Sequence, residues 1–323
     1  MPASTPRRLR AQAVTMLLFA NLFWGLSFPV IKAVLLLEGR LIPDASPWFY
    51  TLYAVAPRFV AAFAVMALVR ACRRRFDVRR SEIVQGVVVG LFAVGGMILQ
   101  NDGLQYTAAS TSAFLTQAYA VTIPLWIAMR SRRNPGWATW ASCALVVGGV
   151  AVLGRFDWRL LRLGRGEWET LVSSLFFMGQ ILWIGDRRFA GNRQAVMTLV
   201  MFGTEAALLS VLAICAAPSA GALAAPLSSG PWIGLTVILA VFPTLGSFTI
   251  MNAWQPVITA TEAGLIYCVE PIFGSFMALF LPALFALWAG ITYPNEVMTS
   301  GLLLGGGLIT LANILIQLEP PRS

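Results

Sequence analysis

The chain has 323 residues, of which 58% are hydrophobic and only 11% are charged. A soluble protein carries roughly a quarter charged residues, so the composition excludes an ordinary soluble enzyme and predicts an integral membrane protein. The net charge of +9 comes from basic residues in short segments beside apolar runs, which is typical of membrane topology rather than of nucleic-acid binding. Histidine is absent, which excludes histidine bases and histidine metal ligands, and none of the 4 cysteines has C-x-x-C spacing.

Ten apolar windows predict ten transmembrane helices, because each is close to the ~20 residues that a spanning helix needs. They cover residues 14–37, 47–71, 83–105, 110–129, 136–154, 168–185, 195–217, 232–253, 260–285 and 297–318. The gaps between them are too short for a soluble domain, so we expect an all-α membrane protein. The first window is too long for a signal peptide and is interpreted as a retained first helix.

The distribution of arginines predicts that both termini are cytoplasmic. With the N-terminus inside, most of the 23 basic residues fall in cytoplasmic segments, as the positive-inside rule requires. One exception is the basic segment 155–167, which falls outside. Its pattern suits a short helix on the outer headgroups, and a miscounted helix is the alternative.

The ninth window carries a carboxylate and a proline near its middle, Glu270 and Pro271. Because Pro271 has no N–H, the carbonyl of Tyr267 loses its helical partner and a kink is expected there. Glu270 facing lipid at the bilayer centre would cost roughly 2.5 kcal/mol or more, so it should face protein or a wet cavity. A charge, a freed carbonyl and a bend at one depth suit a substrate pathway; a buried hinge without a ligand is the alternative.

The two halves of the sequence repeat weakly. An offset of about 150 residues aligns LQYTAASTSAFL (104–115) with WQPVITATEAGL (254–265). Five helices per half is an odd number, so the second half must be inverted, an arrangement that transporters use around a site at mid-membrane. The predicted domains are a first five-helix repeat at 14–154, a basic connecting loop at 155–167 and a second repeat at 168–318.

Two further charges, Arg58 and Glu205, lie ~15 Å from the interface in the second and seventh windows. These helices are equivalent in the two repeats, so the charges are expected to face each other. The functional interpretation is an ion pair, shared with Glu270, that a substrate or proton breaks. The alternative is a static buried pair that fixes helix register.

Aromatic and amide side chains within the windows are candidates for a cavity lining. They are Trp24, Phe28, Gln117, Tyr119, Gln180, Trp183 and Tyr267. Together with Arg58 and Glu270 they make up the nine predicted substrate-binding residues. Packing or interfacial anchoring explains each aromatic equally well, whereas an amide in hydrocarbon needs partners. We expect Lys32 to snorkel to the headgroups, with binding of an anionic solute as the alternative, and Asp102 and Glu262 to be solvated helix ends.

Four motifs occur in order along nearly the whole chain: FWGLSFPVIK (23–32), PRF (57–59), LQYTAASTSAFLTQAYAVTIP (104–124) and TEAGLIYCVEP (261–271). They resemble the drug/metabolite transporter superfamily, specifically its EamA-type ten-helix exporters. The resemblance implies ten helices in two inverted five-helix repeats around a central cavity, moving small solutes across a bacterial inner membrane. The basic region around Gly164 and the acid at Glu205 depart from the pattern and leave the substrate class open.

The sequence contains no HExxH, P-loop or Ser/His/Asp set, so we predict a protein that is not an enzyme and needs no cofactor. Without a nucleotide site, pumping must draw on an ion or solute gradient. We expect a secondary exporter of an amino acid or similar metabolite, monomeric or homodimeric, working by alternating access. If a proton is the coupling partner, Glu270 or Glu205 carries it. The alternatives are efflux of drugs or hydrophobic cations and, from another class, a non-transporting scaffold or receptor.

Overall fold

The computed structural model describes residues 7–73, 77–130, 132, 136–153, 163–258 and 260–318. Within these ranges the regular elements are helices. They are α1 (Arg7–Leu41), α2 (Pro47–Cys72), α3 (Arg80–Tyr106), α4 (Ala109–Thr116), α5 (Tyr119–Arg130), α6 (Trp137–Leu153), α7 (Arg165–Ile184), α8 (Gln194–Ala216), α9 (Ala220–Ala224), α10 (Gly230–Leu239), α11 (Ser247–Trp254), α12 (Ala260–Tyr267), α13 (Glu270–Ala278), α14 (Leu281–Ala289) and α15 (Ser300–Leu318). A π-helical segment, Ala240–Gly246, joins α10 to α11.

The chain is a multi-pass membrane protein. Six helical stretches in the described residues are long and apolar enough to cross a bilayer, and α13 with α14 makes a seventh if that bent pair is one span. Each of the ten predicted windows coincides with helical structure, but α6, α7 and α15 do not reach the same length and hydropathy. Of the predicted basic loop 155–167, residues 155–162 lie outside the described residues.

The predicted break at the proline of the ninth window is confirmed. Helix α12 ends at Tyr267, and α13 begins at Glu270 with Pro271 in its first turn, where a missing N–H costs no hydrogen bond. The prediction of one helix over 260–285 was otherwise wrong, because a second break separates α13 from α14 at an angle of 53°. Pro282, in the first turn of α14, favours this new start.

The fourth window, 110–129, is also interrupted, between α4 and α5. Thr116 ends the first piece and Tyr119 begins the second, although the proline of this window, Pro124, lies inside α5. The helix therefore breaks shortly after each of the two aligned stretches, 104–115 and 254–265, and the first of these breaks has no proline.

Helix α3 packs closely against α7 and α8, and we call α3, α4, α7 and α8 the α3 bundle. A Cβ built on Gly103 would lie 2.8 Å from the carbonyl oxygen of Gly166 in α7. A Cβ on Gly86 would lie 2.7 Å from the carbonyl oxygen of Met197 in α8. Small residues thus let these backbones touch, which is how helices associate within a membrane.

A second group forms around α1, which packs against α10, α11, α13 and α14; we call these five helices the α1 bundle. Its closest contact is at Gly25, where a Cβ would lie 2.7 Å from the Cβ of Phe273 and 2.8 Å from the backbone nitrogen of Gly274. Helix α2 packs mainly against α8, and α6 packs against α15. The two bundles meet where α4 contacts α13, which brings the two interrupted helices together.

Candidate functional site

A cavity of about 620 Å³, its open mouth included, lies between the two bundles. Its wall combines aromatic rings with hydroxyl, amide and charged groups, as small-molecule sites do. The lining residues are Trp24, Ser27, Ile31, Arg58, Met97, Gln100, Thr116, Tyr119, Phe177, Gln180, Ile181, Pro243, Thr244, Phe248, Met251, Tyr267 and Glu270.

The structure brings six of the nine predicted lining residues together in this cavity. They are Trp24, Arg58, Tyr119, Gln180, Tyr267 and Glu270. Trp24 lies at the centre of the aromatic wall, since its ring centroid is 5.6 Å from that of Phe248 and 5.6 Å from that of Tyr267, both edge-on. Edge-to-face packing of this kind is a favourable arrangement of aromatic rings.

The other three predicted lining residues lie elsewhere. Phe28 is only 2% exposed and belongs to the hydrophobic core. Trp183 packs at 5.6 Å against the ring of Phe189, with the Arg188 guanidinium 4.9 Å from its own ring. Gln117 is fully buried behind the cavity wall, where it contacts Glu270.

Glu270 begins α13, and its carboxylate accepts a hydrogen bond of 3.3 Å from the side-chain amide of Gln117. Gln117 occupies the break between α4 and α5, so the two interruptions are joined by this contact. Among the described residues the carboxylate thus has one hydrogen-bond donor, and it also lines the cavity.

Arg58 supplies a positive group to the same cavity and is 2% exposed. One guanidinium nitrogen donates to the Met97 sulfur at 3.0 Å, and the guanidinium carbon lies 5.3 Å from the Phe59 ring centroid. Its Nε atom has no hydrogen-bond partner among the described residues. A thioether is a weak acceptor, so the guanidinium retains most of its capacity to bind an anionic group.

Glu205 is fully buried in α8 but does not line the cavity. Neither of its carboxylate oxygens has a hydrogen-bond partner among the described residues. Arg58 is close enough to Glu205 to interact with it electrostatically. The two side chains are not, however, among the ion pairs within 4.0 Å that the described residues form. The ion pair of Arg58, Glu205 and Glu270 stays a prediction.

The prediction that Asp102 is a solvated helix end was wrong. Asp102 is buried, Arg165 pairs with it and the Thr51 hydroxyl donates to it at 3.0 Å. The ammonium group of Lys32 donates to the backbone carbonyl of Thr107, and its extension to the headgroups stays a prediction. Glu262 is 32% exposed and pairs with Arg10.

Sequence reasoning missed several polar members of the lining. Gln100 donates to the Thr116 hydroxyl at 2.9 Å, and both side chains face the cavity. Thr244 has a buried hydroxyl without a partner in the described structure and lies in the π-helical segment. The sequence signal that could have identified these residues is an amide or hydroxyl side chain within an apolar window. Among the described residues no group of three or more Cys, Asp or Glu side chains could hold a metal ion.

Residues 11–155 match the sequence profile of the EamA-like transporter family. One solved structure, described only as the crystal structure of a protein, superposes with a TM-score of 0.55 at 18% identity. The match covers 95% of this chain and 97% of the other, so the two share a fold over nearly their full lengths. None of the curated proteins compared with the chain matches it.

Proposed function

We propose that this chain, whose residues 11–155 match the EamA-like transporter family, is a secondary transporter that exports an amino acid or similar small metabolite. The family supports membrane transport of the drug/metabolite type. The observation that carries the narrower proposal is the cavity, which places Arg58 and Glu270 on one lining between aromatic rings. Such a lining offers partners to the carboxylate and the ammonium group of a small zwitterion.

The proposed architecture is ten crossings in two inverted repeats, 14–154 and 168–318, in a bacterial inner membrane with both termini cytoplasmic. Two kinds of observation support it: helical structure coincides with all ten windows, and helix contacts come in equivalent pairs. Thus α3 packs on α7 as α1 packs on α10 and α11, while α2–α8 and α6–α15 join equivalent helices of the two halves. Alternating access would then move one group of helices against the other around the cavity.

Transport can be tested with purified protein in proteoliposomes. Thermal-shift screening against amino acids, nucleosides, organic anions and lipophilic cations selects the substrate, and uptake is then driven by an imposed pH gradient. We expect Glu270→Gln to abolish proton-driven uptake, whereas Glu38→Gln, a change of a fully buried carboxylate outside the cavity lining, should retain it. Wild-type rates for Glu270→Gln would eliminate Glu270 as proton carrier.

Efflux of hydrophobic cations is the second candidate, favoured by Glu270 among aromatic rings. Arg58 in the same lining disfavours it, because a buried guanidinium repels a cation. Competition by lipophilic cations, but not by zwitterions, would establish it. A non-transporting scaffold would need no polar cavity beside its buried charges, so the cavity supports transport over that class.

A further inference from the structure

We propose that Glu296 is the latch of a gate at one end of the cavity, carried by a strap (residues 291–299) between α14 and α15. This inference rests on the proposed transport function. The strap has no regular secondary structure, and most of its residues are exposed. The first half of the chain shows no described counterpart of α14 and the strap, since α5 ends at Arg130 and α6 begins at Trp137.

The Glu296 carboxylate binds the beginning of α4. One oxygen accepts from the backbone N–H of Ala109 at 2.8 Å and from that of Ser110 at 3.4 Å, and the other accepts from the Ser110 hydroxyl. The N-cap residue of α4 is Ala108, whose side chain cannot accept a hydrogen bond. The first N–H groups of a helix need acceptors, so Glu296 supplies the cap that the local sequence lacks.

The strap itself is fixed to its own half of the chain. The backbone N–H of Glu296 donates to the carbonyl of Ala278 at the end of α13, over 2.9 Å. The side chain of Asn295 accepts from the N–H of Ala283 in α14 at 2.8 Å. Among the described hydrogen bonds, those that connect the strap to α4 all involve the Glu296 carboxylate, so losing them frees α4 but leaves the strap attached to α13 and α14.

Lys32 makes a second connection between the bundles at this end. It extends from α1 to the Thr107 carbonyl, just before α4, and lies within electrostatic range of Glu296. The Glu296 contact, from the strap, and the Lys32 contact, from α1, therefore both end at the first turn of α4 or just before it. By contrast, the ion pair of Asp102 with Arg165 lies within the α3 bundle and need not break when the bundles separate.

The position of these contacts relative to the cavity makes them a gate. Thr116 lines the cavity six residues beyond Ser110, which is about 9 Å along a helix. Ile31, the neighbour of Lys32, also lines it, and Glu270 lies at the other end of α13 from Ala278. Separation of α4 from α13 at the latch would open the cavity at this end. The proposed topology places this end on the outer side of the membrane.

The test measures access to the cavity without any substrate. In a background without the four native cysteines, Ser27→Cys introduces a nearly isosteric thiol in the lining, and its labelling by a membrane-impermeant maleimide is timed from each side. From the latch side we expect labelling to become several-fold faster in Glu296→Gln and faster still in Glu296→Ala. Asp44→Asn, an exposed loop carboxylate between α1 and α2, is the matched control and should not change the rate.

Lys32→Gln and Ser110→Ala keep the proposal testable if Glu296→Ala does not fold, because each removes one contact of the same gate. We expect both to accelerate labelling from the latch side. Labelling of the Glu296 variants at the rate of the Asp44 control, in protein that elutes as a folded species, would overturn the latch. The transport proposal would be unaffected by that result, because proteoliposome uptake tests it separately.

Discussion

The side-chain amide of Gln117 donates a hydrogen bond of 3.3 Å to the Glu270 carboxylate and thereby joins the breaks of two helices. Both residues are buried, but Glu270 alone of the two faces the cavity. Gln117 is therefore a positioning residue, which holds the carboxylate at the cavity wall without touching the solute itself.

Loss of that amide should impair transport through Glu270. A hydrogen bond contributes about 0.5–1.5 kcal/mol, so Gln117→Leu should lower kcat/KM for uptake by about two- to tenfold. Gln85→Leu is the control, because Gln85 is equally buried in α3 but contacts Asn192, away from the cavity. Equal uptake kinetics for the two variants would contradict this role.

The close packing of α1 on α13 predicts a specific sensitivity to side-chain size. A methyl group on Gly25 would approach the backbone nitrogen of Gly274 to 2.8 Å, so Gly25→Ala must push the two helices apart. Overpacking of this kind costs about 1–3 kcal/mol, and we expect a lower Tm in detergent. Gly39→Ala in the same helix should leave Tm unchanged or raise it, since no atom beyond its own turn of helix lies within 4 Å of the added carbon. A Tm decrease of the same size for both variants would show that helix packing at Gly25 is not the cause.

Local sequence predicted the helix break at Pro271, because a proline acts on the turn that contains it. It could not predict the break at Gln117, where no proline is present and the tertiary contact with Glu270 lies 153 residues away in the chain. The same limit explains the cap of α4, since Glu296 is 186 residues from Ser110. Hydropathy thus located the helices, and residue type within them identified six residues of the cavity lining, whereas long-range contacts determined which polar groups were paired.

The segment before α3 predicts a dependence of stability on acid pH. The guanidinium of Arg193 donates to the Asp77 carboxylate, and this hydrogen bond lowers the pKa of Asp77 below its usual 3.8. A carboxyl whose pKa is lower in the folded state stabilises it above the unfolded pKa, and the contribution disappears as the pH falls through the folded pKa. The Tm difference between wild type and Asp77→Asn should therefore be present near neutral pH and shrink below about pH 4.

A double-mutant cycle identifies the partner in that effect. In an Arg193→Gln background, Asp77→Asn should change Tm and its pH dependence much less, because the main donor that lowers the pKa is gone and only the weaker influence of Arg70 and a backbone hydrogen bond remains. Asp77 is fully exposed, so the effect is expected to be small and to weaken at high salt. The same Tm difference in both backgrounds would exclude Arg193 as its source.

The ion pair between α3 and α7 predicts an asymmetry between its two partners. Asp102 is fully buried, whereas the Arg165 side chain is 46% exposed and also pairs with Glu169 at 2.7 Å. Arg165→Gln leaves a buried carboxylate without its counter-charge, retaining the donors Thr51 and Gln105, and should cost about 2–3 kcal/mol. Asp102→Asn should cost only about 1 kcal/mol, since the released guanidinium can reach solvent.

Denaturant or thermal unfolding of the two single variants measures this difference directly. Glu169→Gln is the control for the second partner of Arg165, and a helical i,i+4 pair contributes only about 0.3–0.5 kcal/mol. Because the aspartate lies inside the α3 bundle, its loss should lower stability without accelerating the labelling of the cavity thiol. Equal losses of unfolding stability for Arg165→Gln and Asp102→Asn would mean that water reaches the carboxylate. Asp102 would then not be a buried partner that joins α3 to α7.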